Sequence, residues 1–185
     1  DWRHPHGPKS SLKDKEQHPV VQVSWVDAAA YCQWFNETHR AELGDLQVRL
    51  PTEAEWEKAA RGEYANEWPW GNEWDPQRCN SFEGGKGDTT PAGAYSLSGD
   101  SPYGAADMVG NVWEWCQDWY DGSEYARRQA GSVVDPTGPQ TGAARVVRGG
   151  SWGNNRNLAR CASRYRYEPD DFLYLLGFRV ALSPG

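Results

Sequence analysis

Two carboxylates, Asp107 and Glu114, flank a Gly110-Asn111 turn in the run Asp107-Met108-Val109-Gly110-Asn111-Val112-Trp113-Glu114-Trp115. A hard cation such as Ca²⁺ takes carboxylate and backbone oxygens from a tight turn. Asp107 and Glu114 can supply the first kind, and the carbonyls of Gly110 and Val112 the second. A different chemistry is written near the end of the chain. From Gly153 to Leu176 asparagines (Asn154, Asn155, Asn157), tyrosines (Tyr165, Tyr167, Tyr174) and arginines mix without a clean helical or strand period. Tyr offers wide contact area at little rotamer cost, and Asn and Arg offer directed hydrogen bonds, so this is the composition of a recognition surface.

Catalytic patterns are sparse. Glu53 and Glu57 stand at i, i+4, a spacing that reads first as a solvated helix face rather than an acid–base pair. His4 and His6 lie in a polar, proline-containing segment with no Cys or acidic triad beside them, and His18 and His39 lack ligand spacing. No H-E-x-x-H, phosphate loop or Ser-His-Asp arrangement occurs.

These residues need elements to hold them. Asp1 to Gln17 is an irregular lead-in, and residues 18–185 form a single domain. Val20 to Val23 predicts a short strand. Ser24, with Asp27 three residues on, caps a helix over Trp25 to Leu43 whose apolar face carries Ala29, Tyr31, Cys32 and Phe35; Gly44 ends it. Thr52-x-x-Glu55 is a capping box that opens a second helix, closed by Gly62. Tyr64 to Tyr95 and Gln117 to Ala144 read as long loops, the latter with a turn at Asp135-Pro136-Thr137-Gly138. Arg145 to Arg148 predicts a strand leading to Gly149-Gly150-Ser151-Trp152. Trp152, Phe178 and Val180 read as framework bulk, Leu176 as core, and Leu173, Tyr174 and Leu175 as an exposed apolar patch.

At 185 residues the chain can bury a substantial core, and eleven Trp with twenty Gly point to an aromatic-rich, turn-rich fold. A net charge of −7 argues against nucleic acid as partner. No run of eighteen apolar residues is present to span a membrane. Cys32, Cys79, Cys116 and Cys161 allow three pairings.

The pattern Arg148-Gly149-Gly150-Ser151-Trp152, then Gly177-Phe178-Arg179-Val180, resembles the formylglycine-generating-enzyme superfamily. So do His18 to Trp25, Arg49 to Glu57, Pro69-Trp70-Gly71 and Gly110 to Trp115, in the superfamily's order. The resemblance implies an α+β domain of C-type lectin fold, with two helices, short antiparallel strands and long loops, and a first strand and helix upstream of this sequence. It implies Ca²⁺ at Asp107, Gly110, Val112 and Glu114, and a second calcium site beginning at Asn80 and Ser81, with Asp88 as a candidate partner. Secreted relatives bridge positions matching Cys32 to Val180, and Cys161 to one near Ala60. Each bridge lacks one half here, which favours free thiols in a reducing compartment.

In that superfamily the oxidase uses copper held by two thiols after the Gly-Gly-Ser motif. The corresponding window, Gly153 to Leu158, has no cysteine. Soft Cu(I) wants thiolates, so no copper is expected; nor is iron, because the related sulfoxide synthases draw histidines from another domain. The closing stretch resembles instead the variable region of diversity-generating retroelement target proteins. Adenine-directed diversification of Asn codons excludes Lys, Met, Trp, Glu and Gln, and from Gly153 to Leu176 only Glu168 belongs to that set. The expectation is a non-catalytic protein that binds a protein or other macromolecule through Gly153, Asn154, Asn155, Asn157, Leu158, Tyr165, Tyr167, Asp171, Leu173, Tyr174 and Leu175. The alternatives are a superfamily oxidase and a regulatory interaction module joined to an effector.

Overall fold

The computed structural model describes residues 1–128 and 133–185. Its frame is a four-stranded sheet assembled from β2 (Trp113–Trp119), β3 (Arg145–Arg148), β4 (Arg164–Tyr167) and β5 (Leu176–Phe178) in the order β4-β3-β2-β5. β2 pairs antiparallel with β3, β3 antiparallel with β4, and β5 joins β2 in parallel. A separate two-stranded ribbon pairs β1 (Leu46–Arg49) with β6 (Ala181–Pro184).

Side chains alternate across a strand, and here the alternation divides two cores. Trp113, Trp115, Val147 and Leu176 face α1 (Trp25–Thr38), packing with Ala28, Cys32, Val48 and Leu50. Cys116 and Val146 face α3 (Glu53–Arg61), packing with Trp56, Ala60, Met108, Val109 and Cys161.

Both helices begin at the capping boxes read from the sequence. The Ser24 side chain accepts from the Asp27 N–H while Asp27 accepts from Ser24, and Thr52 and Glu55 do the same. Each such cap contributes about 1 kcal/mol. Arg145–Arg148 is the predicted strand, and all four cysteines are free and buried.

Other expectations are corrected. The first helix stops at Thr38, because the His39 ring stacks on Phe35 at 4.2 Å and leaves helical geometry; a separate turn, α2 (Arg40–Leu43), follows. A further short helix, α4 (Glu124–Arg128), lies in the stretch read as irregular, so the count exceeds two; residues 129–132 of that stretch lie outside those described. Val20–Val23 is not a strand. Gln22 takes φ 60°, and its N–H reaches the Leu173 carbonyl, so one bond replaces a ladder. On α1 it is Ala28 and Cys32 that are buried, while Tyr31 is exposed. The lead-in is irregular but docked: the Gln22 amide donates to the Pro5 carbonyl, and the Ala92 N–H to that of Gln17. Among the described residues no helix is long and apolar enough to cross a membrane.

Candidate functional site

Left-handed Gly149 and Gly150, at φ 97° and 73°, turn the chain out of β3 so that Ser151 is buried and Trp152 emerges half-buried. Gly150 has no room for a Cβ, which would press on the main chain of Leu158 and Ala159. Asn154 is fixed from both sides: its side-chain oxygen accepts from the Ser151 N–H and hydroxyl, and its carbonyl accepts from the Phe82 N–H. Two residues on, the Arg156 N–H donates to Glu83 at 2.9 Å. The short 3₁₀ turn Phe82–Gly84 therefore clamps the loop that presents Gly153, Asn155, Asn157 and Leu158 to solvent. Phe82 is itself 68% exposed beside that loop. Nothing in the sequence marks this clamp, since the two segments are more than seventy residues apart.

The second limb of the surface is carried by β4. Tyr165 and Tyr167 point to the α1 side and lie ring to ring at 5.4 Å, with Trp113 beneath Tyr165 and Trp115 beneath Tyr167. Tyr174 packs on Trp152 at 5.7 Å and on His6 at 6.1 Å. Burial, followed by the nearby Tyr165, Asp171 and Tyr174, raises the Tyr167 phenol above its ordinary range. The half-buried Asp171 accepts from the Glu168 N–H and closes a turn.

Exposure is uneven across this limb. Tyr165 and Tyr174 are 48% and 43% exposed, whereas Leu173, Leu175 and Tyr167 are half-buried against the α1-side core. The expected exposed patch thus reduces to Tyr174, flanked by two leucines that act as anchors. Leu176 is fully buried as expected. Trp152 and Phe178 are only half-buried and Val180 is 45% exposed, because the strand ends at Phe178 and Val180 lies outside the sheet.

The turn after Asp107 is held open by left-handed φ at Asp107, Gly110 and Asn111. Glu114 accepts from Trp56 Nε1 at 2.6 Å and from Arg179 at 2.5 and 2.7 Å. Arg179 also donates to the carbonyls of Ala106 and Asp107. The Asp107 carboxylate accepts from the Gly93 N–H and, among the described residues, has no ion pair. Burial, and then the charge of Glu114, push its carboxyl above the usual range. Two carboxylates against one guanidinium leave negative charge in a buried loop, and that donor set fits a hard divalent cation. At the other loop, Asn80 Oδ1 is buried with no donor among the described residues, while its amide donates to the Asp88 carbonyl and Ser81 donates to Glu83. The Asp88 carboxylate is paired with Lys15. An orphaned buried acceptor is unusual and also fits a cation ligand. Among the described residues no cluster of three His, Cys, Asp or Glu side chains forms, so an ion would depend on backbone oxygens as well.

Glu53 and Glu57 are not a solvated face. Arg148, 0% exposed, donates to Glu53 at 3.1 Å and to Glu57 at 2.6 Å, and Arg164 grips both oxygens of Glu53. Tyr125 on α4 covers the cluster by donating to Glu57. These groups face one another, with Arg148 and Glu53 fully buried, and satisfy each other as ion pairs.

The thiols are likewise inward. Cys79, Cys116 and Cys161 lie in the α3-side core and Cys32 in the α1-side core. Burial pushes Cys79 and Cys161 up to about 12, which suppresses the thiolate needed for nucleophilic or copper chemistry.

Comparison with known proteins agrees with this architecture. The chain is 41% identical over 200 residues to a formylglycine-generating enzyme of Thermomonospora curvata, covering 99% of this chain and 61% of that protein. It is 38% identical over 198 residues to the mouse inactive C-alpha-formylglycine-generating enzyme 2, covering all of this chain and 55% of that protein. The chain thus spans a little over half the length of these relatives. Among solved structures it superposes on Treponema denticola variable protein 1 with a TM-score of 0.77 at 21% identity, over 100% of this chain and 78% of that one, a likeness of fold. The sulfatase-modifying factor enzyme 1-like domain matches residues 1–184, and the chain belongs to that family.

Proposed function

We infer that the chain is a non-catalytic recognition domain of this family, binding a protein or other macromolecule through the surface from Gly153 to Leu175. The observation that carries the reading is the division of labour along one stretch. Asn155, Asn157, Leu158, Tyr165 and Tyr174 stand exposed, while Ser151, Ala159, Cys161 and Leu176 between and beside them are buried. Such a surface can change its ligand without changing its core. The residue set from Gly153 to Leu176, with Glu168 the single departure, supports diversification by a retroelement. Tested at the DNA level, this expects a reverse transcriptase gene and a near-copy of the 3′ coding segment differing at adenines. Tested on the protein, it expects a variant with all five exposed residues changed to serine to melt within a few degrees of the parent. A missing template removes the diversification, and a collapse of the serine variant removes the surface.

Ca²⁺ held by Asp107, Gly110, Val112 and Glu114, with Asn80 and Ser81 serving a second ion, is part of the same proposal. The ion supplies positive charge that offsets the buried carboxylates and stiffens the two loops. A ligand bound only to the native state stabilises it by about 2.7 kcal/mol at a hundredfold excess over Kd. Chelation should lower the melting temperature, Ca²⁺ should restore it, and Asp107→Ala should abolish the response. An oxidase would need a thiol pair between Gly153 and Leu158 that the sequence lacks. Copper-supplemented protein should leave cysteine peptides unoxidised, and turnover that disappears in Cys161→Ser would overturn the non-catalytic reading.

A further inference from the structure

β4 is the outer strand of the four-stranded sheet. Among the described residues, the main-chain groups of Arg164–Tyr167 bond to β3 alone, so the opposite edge offers unpaired N–H and C=O groups. Such an edge is a template for an added strand. The side chains on either face differ in kind. On the α1 side Tyr165 and Tyr167 form an aromatic shelf over Trp113 and Trp115. On the α3 side Arg164 is committed to Glu53, but Arg166 is exposed, makes no ion pair among the described residues, and rests on Tyr120 at 4.7 Å. Arg166 is thus the uncommitted cation of the strand itself, and the acidic Glu168, Asp170 and Asp171 follow only beyond its end.

We propose that the ligand is captured by strand addition: an extended, acidic peptide segment pairs its main chain with the outer edge of β4. Its alternate side chains meet Arg166 on one face and the Tyr165–Tyr167 shelf on the other. Cross-strand pairs of opposite charge and of aromatic with β-branched residues are the favourable ones. A second copy of the chain is the poorer occupant, since two Arg-Tyr-Arg-Tyr edges would set like charges against each other. The proposal rests on the recognition reading and specifies its partner. It divides the work of the surface in two. The main-chain edge supplies an affinity common to all extended acidic ligands, and the exposed side chains from Asn155 to Tyr174 select among them.

The test uses the full chain and a capped heptapeptide alternating Glu and Val. Three controls accompany it: the same peptide N-methylated at alternate amides in either register, and a Lys-for-Glu version. Binding is followed by titration calorimetry and by amide exchange. Strand addition expects N-methylation in one register, and Lys-for-Glu exchange, each to weaken binding at least tenfold. It expects outward amides of Arg164–Tyr167 to gain protection when the peptide is added. Arg166→Glu, an exposed change that leaves the fold intact by circular dichroism, should reverse the preference toward the Lys peptide. Binding indifferent to N-methylation in both registers, a β4 that gains no protection, or absence of saturable binding each overturn the proposal. Peptide binding that is lost in Tyr174→Ser yet tolerates N-methylation would leave the recognition surface standing and remove only strand addition.

Discussion

The two faces of β4 are built from alternate residues of one four-residue strand, yet they live under opposite constraints. Arg164 and its neighbour Arg148 point toward α3 into a network with Glu53 and Glu57 from which water is nearly excluded. Tyr165 points the other way, and half of it meets solvent. A buried charge deprived of its partner is expensive, whereas a half-exposed ring loses little when trimmed. The comparison teaches where variation is tolerable: a strand can offer one face to changing ligands because the other is tied to a helix by charge.

The largest effect should come from breaking the fixed face. Arg148→Ala or Glu53→Ala is expected to cost about 3–5 kcal/mol by denaturant melting, because each strands a buried charge. Next comes Asp118, which accepts from the Glu53 N–H with one oxygen and, among the described residues, leaves the other buried without a donor. Burial first, and Glu53 nearby, raise its carboxyl from 3.8 to about 6. A raised native value stabilises the fold fully below about pH 4, and that contribution is lost as pH rises through 6. Asp118→Asn should therefore be more stable than the parent at pH 7 by up to about 3 kcal/mol, with the gain vanishing toward pH 4. A gain independent of pH would refute the assignment. Tyr167→Ser, Trp152→Ala and Phe178→Ala, at half-buried positions, should each cost about 1–2 kcal/mol, below the 3–5 kcal/mol typical of a fully buried aromatic. Smallest of all, Tyr165→Ser and Tyr174→Ser should each shift stability by no more than about 0.5 kcal/mol. Losses of several kcal/mol at both would erase the contrast between the faces.

What the sequence disclosed was mostly local. Ser24 with Asp27, and Thr52 with Glu55, announce their helices because both halves of each cap lie within four residues. Leu176 was legible as core because Gly177-Phe178 fixes the strand beside it. Glu53 and Glu57 were not, because their partners Arg148 and Arg164 come from strands about a hundred residues away. Val20–Val23 misled for a related reason. Val21 and Val23 are indeed buried, but they pad the edge of the sheet instead of pairing in it. In the candidate surface, composition located the stretch, yet it could not tell Tyr174 from Leu173 or Leu175. Which of them reaches solvent depends on Trp152 and His6, brought in by turns far off in the chain.

The parallel seat of β5 beside β2 carries a consequence for biosynthesis. Gly177 fits there because its α-carbon abuts the Val20 carbonyl with no room for a side chain, and Arg179 then neutralises Glu114. β6 in turn closes on β1, more than a hundred residues earlier in the sequence. Residues 176–185 thus complete both sheets, and folding cannot finish until they have been synthesised and released from the ribosomal tunnel. A message carrying a premature stop or a shifted frame anywhere between Trp152 and Leu176 yields a chain without either strand. Such a product exposes the apolar edge of β2 and leaves Glu114 bereft of its guanidinium. Proteolysis would clear it, so placing β5 and β6 after the stretch from Trp152 to Leu176 makes correct translation of that stretch a condition of survival.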